Sequence, residues 1–279
     1  MRGVAFRASS PLPGFGISFG ITAAMLSCVV LLPIGALLFR GALVGPVGLW
    51  ETINRPRVWS ALELSFMTSL YAALFNLVFG LAVAWTLTRY RFWGRKLIDA
   101  TVDLPFALPT AVAGIALTTL YAPNGVFGAA LAPLGIQVAY TRLGIFVALV
   151  FVGLPFVVRT VQPVIEELER EVEEASATLG ASRARTFVRV VLPTLAPALL
   201  TGGALAFARS VGEYGSVIFI AGNLPNVTEI APLLIVIRLE EFDYDGAVAI
   251  AIAMLAISFA MLLAINLIQV WSRRRFADA

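Results

Sequence analysis

Two ionisable residues stand inside an otherwise apolar stretch of this sequence, Arg209 and Glu213, with Tyr214 beside them. On a helix a spacing of four puts the pair on one face. A charge at mid-membrane costs about 2.5–3.5 kcal/mol on insertion scales, so such residues turn toward protein and find partners. Either they neutralise each other or pair with a second chain, or Arg209 helps to attract an anion. Arginine precedes glutamate here, the weaker order for pairing within a helix, which favours partners elsewhere. Arg209, Glu213 and Tyr214 are therefore the candidate functional residues of this stretch. Most other chemistry is closed off. There is no histidine, so neither a Ser-His-Asp triad nor a histidine metal site can form. The one cysteine, Cys28, lies in an apolar run and reads as a small buried hydrophobe. It allows no disulfide within the chain and no C-x-x-C metal site. Lys96, the only lysine, sits in Gly94-Arg95-Lys96-Leu97. A G-x-x-x-x-G-K-[ST] phosphate loop is therefore absent, and any ATP must be hydrolysed by another polypeptide. No catalytic set, metal or cofactor is expected.

The elements that position these residues follow from composition. Of 279 residues, 59% are hydrophobic and 13% charged, against about 25% charged in soluble domains. The solvent for such a chain is lipid. The formal net charge is +3, but the arginines form short clusters between apolar runs and make no nucleic-acid face. A membrane-spanning helix needs about 20 mostly apolar residues. Six runs qualify: 15–39, 62–88, 102–122, 143–165, 194–222 and 246–271. The first is too long for the h-region of a signal peptide, about 7–15 residues. Pro105 and Pro109 are expected at the start of the third helix, where missing N–H groups are tolerated. Pro155 and Pro163 are expected to kink or end the fourth, and Pro193 to open the fifth.

Lys and Arg set the orientation, because they concentrate in cytoplasmic loops. Placing both termini in the cytoplasm puts Arg2, Arg7, Arg89, Arg91, Arg95, Lys96, Arg159, Arg170, Arg183, Arg185, Arg189, Arg273, Arg274 and Arg275 inside. Only Arg40, Arg55, Arg57, Arg142 and Arg238 fall outside. The cluster Arg89–Lys96 reads as an anchor at anionic lipid headgroups. The stretch Glu229–Asp245 reads as an acidic outer loop that either docks a partner or repels anions. Asn76 and Asn266 are expected to hydrogen-bond across helices, and Gly16 and Gly20 form a G-x-x-x-G contact motif.

The segment 166–193 is the most informative loop. A charged helix begins it, with Glu166 and Arg170 at i,i+4. Gly180 interrupts the helix as a C′ glycine or turn, and a basic amphipathic stretch follows. Glu174-Ala175-Ser176, three residues, Gly180, nine residues and Val190-Val191-Leu192-Pro193 resemble the EAA loop of bacterial ABC-importer permeases. The resemblance implies a short cytoplasmic coupling helix that docks in a cleft of the ATP-hydrolysing subunit. Ala175 and Ser176 would permit close approach, Glu174 would meet a basic group, and Gly180 would reverse the chain. Glu173 and Leu179 fall in the same docking segment.

Further stretches are similar to T-type permeases of sulfate/thiosulfate uptake: Asp103–Gly114, Tyr121–Gly125, Ser210–Ser216, Ile220–Pro225, Thr228–Leu233 and Glu240–Tyr244. The resemblance implies an all-α membrane protein of type I ABC-importer permease architecture. Residues 1–14 and 272–279 would be cytoplasmic tails, and 15–271 a six-helix permease domain of the bacterial inner membrane. Its implied partners are two ATPase copies, a W-type permease subunit in a heterodimer, a periplasmic sulfate/thiosulfate-binding protein and membrane lipid. A molybdate or tungstate permease is the alternative within this class. A gradient-driven transporter is the alternative outside it.

Overall fold

The computed structural model describes residues 15–277, so the expected tail 1–14 and the last two residues of the expected tail 272–279 lie outside the described residues, as do the side chains of Arg170, Arg273, Arg274 and Arg275. Regular structure among the described residues is helical throughout. In chain order the helices are α1 (Phe15–Ile53), α2 (Pro56–Arg89), α3 (Arg95–Val102), α4 (Leu104–Ala107), α5 (Thr110–Tyr121) and α6 (Val126–Leu131). They continue with α7 (Arg142–Glu167), α8 (Arg170–Thr178), α9 (Arg183–Val211), α10 (Val217–Ile220), α11 (Ala231–Glu240) and α12 (Tyr244–Ala277). Six helical stretches among the described residues are long and apolar enough to cross a bilayer: α1, α2, α5 with α6, α7, α9 and α12.

Several expected boundaries move, each for a local reason. Helix α1 passes residue 39 and reaches Ile53, so Arg40 lies within a helix and not in a loop. It bends at Gly45, whose φ of 78° suits glycine, just before Pro46. The third span begins at Thr110 and not at 102. Leu108 and Pro109 are extended there, because a residue before proline is steered away from helical geometry. Pro155 and Pro163 lie inside the continuous α7 and end nothing. Pro193 likewise lies inside α9, not at its start. A π-turn over Phe187–Val191 precedes it, as one over Ser27–Leu31 precedes Pro33. In both places the wider turn accommodates the missing proline N–H. The fifth span stops at Val211, short of 222.

Helices α2, α7 and α9 form the centre of the bundle, and small residues let them approach. A Cβ on Gly80 would lie 2.9 Å from Val157, one on Gly202 3.0 Å from the Val157 Cα, and one on Gly203 2.8 Å from Leu77. Asn76 is fully buried at this crossing, and its Nδ2 donates to the Val150 carbonyl of α7 at 3.1 Å. Asn266, by contrast, is exposed and makes no such bond. Cys28 is also exposed, contrary to its expected burial. Nothing lies within 4 Å of a Cβ placed on Gly16 or Gly20. Helix α1 leans on α12, with Gly41 against Ile252.

The expected acidic outer loop is not a loop. Most of it is α11, and Glu229 is buried in a two-pronged ion pair with Arg57 of α2. The Arg57 Nε and Nη2 atoms donate to its two carboxylate oxygens at 2.8 and 2.7 Å. Next to it, Ala231 N–H donates to Ser65 Oγ at 2.8 Å, which satisfies the first turn of α11. Arg238 pairs with Glu241 at 2.9 Å, and Asp243 accepts from the Gly246 N–H at 2.9 Å. A segment so paired holds helices together, while Glu240 and Asp245 stay exposed.

Gly114 offers a test of this packing. A Cβ there would lie 2.4 Å from the Ser216 carbonyl oxygen and 2.7 Å from its Cα. Gly114→Val is expected to destabilise the subunit by about 1–3 kcal/mol through overpacking, whereas Gly16→Val leaves it unchanged. Thermal unfolding of the purified variants in detergent checks both.

Candidate functional site

Helix α8 stands at the end of the bundle where α2 finishes. It does not continue α7: the break falls at Leu168, with ψ 111°, so Glu166 and Arg170 do not share one helix. At its other end, Gly180 takes φ +82°. Gly180 N–H donates to the Ala177 carbonyl at 2.9 Å and Ala181 N–H to the Ser176 carbonyl at 3.1 Å. This is the Schellman closure that a C′ glycine permits. Ser182 then opens α9, its hydroxyl accepting from the Arg185 N–H at 3.4 Å.

Two faces of α8 differ in what they touch. Glu173 and Ser176 are half-buried and three residues apart, hence on one face. The Glu173 carboxylate accepts from Arg89 Nη2 at 2.7 Å. Ser176 and Thr186 share a hydroxyl–hydroxyl bond of 2.9 Å. Of the six docking candidates, these two are thus engaged within the chain. Glu174, Ala175, Leu179 and Gly180 are exposed, and Leu179 is 88% exposed. A leucine so displayed on a polar helix gains nothing from water and is suited to a partner's pocket. Arg89, expected at lipid headgroups, instead points into the protein with its side chain 12% exposed.

The second site is the broken end of α9. Gly212 ends the helix, and Glu213 lies just beyond it. The expected continuous helix is therefore absent here, and so is the penalty on the Arg–Glu order. Arg209 Nη1 donates to Glu213 Oε2 at 2.6 Å. Glu213 Oε1 accepts from both the N–H and the hydroxyl of Ser216 at 2.9 Å. The carboxylate is nearly inaccessible, while the arginine side chain is 35% exposed. One edge of the guanidinium is thus tied down and the rest of the side chain reaches the surface. Tyr214 is half-buried and packs against the core cluster that includes Val217 and Ile220.

Two stretches separated by about a hundred residues in the sequence meet at this break. Gly215 lies where a Cβ would touch Thr110 Oγ1, and Gly114 backs onto Ser216. The start of α5 therefore rests on the 212–216 turn. Arg159 of α7 fixes the approach to it. Its Nε and Nη2 donate to Asp103 at 2.8 and 2.6 Å, and its Nη1 donates to Asp99 at 2.6 Å and to Gln162 at 2.7 Å. Sequence reading used Arg159 only as a loop charge. Asp99 and Asp103, four apart on the approach to the third span, were the available signal for its partners.

A multi-pass helical bundle with a protruding polar helix and a broken, charge-bearing span is the body of a membrane transport subunit, not a catalytic domain. The chain belongs to the family of binding-protein-dependent transport system inner membrane components, whose family profile matches residues 76–278. It is 52% identical over 258 residues to the sulfate transport system permease protein CysT of Escherichia coli (strain K12), covering 92% of this chain and 93% of that one. To the protein of the same name from Synechocystis sp. (strain ATCC 27184 / PCC 6803 / Kazusa) it is 51% identical, covering 94% and 92%. In fold it is similar to a chain of a bacterial ABC transporter involved in the import of alginate, with TM-score 0.74 at 17% identity, covering 93% of this chain and 96% of that chain. It is also similar to a chain of the MetNI methionine ABC transporter in inward facing conformations, with TM-score 0.56 at 18% identity and coverage of 86% and 98%. The protein is therefore a multi-pass component of the inner membrane.

The turn after α8 can be tested alone. A left-handed residue other than glycine costs roughly 1–2 kcal/mol, with asparagine the mildest. Gly180→Asn is expected to keep the Ala181 amide protected from hydrogen exchange, and Gly180→Val to expose it. Exchange mass spectrometry on the purified subunit reads the difference.

Proposed function

We propose that this chain is the permease subunit through which an ABC importer moves sulfate, and thiosulfate with it, across the inner membrane. Its nearly full-length likeness to sulfate transport permeases supports the substrate. The observation that carries the mechanism is α8, a polar helix closed by Gly180 whose outer face shows Glu174, Ala175 and Leu179. On this reading it docks in a separate ATP-hydrolysing subunit, present in two copies. Both termini and α8 face the cytoplasm, and residues 15–271 form the permease domain. A W-type permease completes the membrane dimer. A periplasmic sulfate/thiosulfate-binding protein delivers the anion on the other side. An alginate importer of the same fold has been solved with its ligand-loaded periplasmic protein bound. Closure of the ATPases pushes α8, and the bundles rock between inward- and outward-facing states.

The anion passes the broken end of α9. A dianion crossing the bilayer needs positive charge on its route. Arg209 has one edge held by Glu213 and the rest accessible, so it meets the anion without swinging free. Arg209→Ala is expected to abolish sulfate uptake in reconstituted vesicles while the complex still assembles. Normal uptake by that variant would remove Arg209 from the pathway. Leu179→Arg is expected to release the ATPase, read by copurification. The whole assignment is tested by growth on sulfate as sole sulfur source with and without this subunit. Rescue of molybdate-dependent growth instead would reassign the anion, and uptake that persists without ATP hydrolysis would mark a gradient-driven transporter.

A further inference from the structure

Helix α8 carries almost no apolar attachment to its own protein. Between residues 171 and 178 only Glu173 and Ser176 are half-buried, and the rest are exposed. Hydrophobic packing, which ties most helices into a fold, is missing here. Beneath the helix lies a cavity of about 600 Å³ lined by Trp85, Tyr90, Glu173, Thr186 and Phe187. A push on such a helix reaches the bundle only through its two chain ends and its polar contacts. One end is the Leu168 break, a non-helical joint that by itself transmits rotation poorly.

Arg89 bridges that joint. It is the last residue of α2, the 34-residue helix at the centre of the bundle. Its Nη2 donates to the Leu168 carbonyl at 3.1 Å and to the Glu173 carboxylate at 2.7 Å. The same nitrogen thus holds both the joint and the helix beyond it. Its guanidinium lies over the Trp85 ring, 5.4 Å from the centroid. Trp85 in turn meets Phe187 edge-on at 5.8 Å, at the π-turn of α9. The arginine end of the contact is largely shielded from water, with the Arg89 side chain 12% and the Glu173 side chain 32% exposed, and a charge-assisted bond is among the stronger kinds.

We infer that Arg89 is the pin through which movement of α8 is passed to α2 and, by way of Trp85 and Phe187, to α9. The inference rests on α8 being the ATPase-docking helix. It makes Arg89 and Glu173 positioning residues: they touch neither anion nor nucleotide, yet set how much transport each ATP yields. Without the pin, α8 moves with the ATPase while the bundle lags behind.

The test uses the complete transporter with its ATPase and second permease in proteoliposomes, measuring sulfate uptake and ATP hydrolysis together. Arg89→Ala and Glu173→Ala are expected to leave ATP hydrolysis near normal and to lower sulfate moved per ATP about tenfold, a size typical of residues on a coupling element. Because both act through one contact, the double variant should fall no further than either single one. Arg89→Lys should recover part of the ratio. A purely structural role would reduce the amount of complex, or hydrolysis and uptake in step, and leave the ratio unchanged. An unchanged ratio in Arg89→Ala, or losses that multiply in the double variant, would overturn the inference. If Arg89→Ala does not assemble, Glu173→Ala decides alone, since it sits on a half-exposed helix surface and disturbs no packing. Failure of the underlying docking reading shows differently: Leu179→Arg then keeps its ATPase and normal uptake.

Discussion

In a bilayer, exposed apolar side chains are stable and unpaired charges are not, and this asymmetry organises the whole molecule. Long apolar faces are left bare, as along α1. Meanwhile charged groups at the helix ends and breaks are drawn to one another. Arg57 meets Glu229, Arg89 meets Glu173, Arg159 meets Asp99 and Asp103, and Arg209 meets Glu213. Each pair fastens a non-helical or weakly packed segment to a long helix. Pairs of this kind, each with at least one partly exposed partner, are poor sources of net stability. Their value here is positional: they decide where the irregular segments sit.

Those irregular segments carry the proposed function. The membrane admits non-helical backbone only where it is buried in protein or lines a cavity. Glu213 satisfies the turn after α9 by accepting the Ser216 N–H and hydroxyl while also neutralising Arg209. The extended Leu108–Pro109 link places the start of α5 on the same turn. Two breaks from different spans thus support each other, and one partly accessible arginine results.

At the opposite pole of behaviour is α8, which keeps its polar character and is held by an ion pair from Glu173 and a hydroxyl bond from Ser176. A helix buried by apolar packing would move only with the bundle. A helix held at a few polar points can be gripped by another protein on one face and pinned to its own on the other. The two faces of α8 differ accordingly, with Glu174, Ala175 and Leu179 exposed and Glu173 and Ser176 bonded within the chain. The resemblance groups all of them in one docking segment, because spacing along a motif does not say which way a helix is turned.

Sequence alone determined the solvent, the six spans and the glycine-closed helix. Apolar runs of about 20 residues have no other use in a chain with so few charges, and the left-handed turn at Gly180 is a local property of glycine. It also placed the chain near a family through motifs that survive as short strings. What it left undecided was every pairing across the chain. Arg57 and Glu229 are 172 positions apart, and no periodicity connects them. The rule for i,i+4 pairs pointed Arg209 away from Glu213, since it presumes an unbroken helix and α9 ends two residues too soon. Only the tertiary structure shows these contacts, because in lipid a charge takes whichever partner the packing of the helices brings within reach.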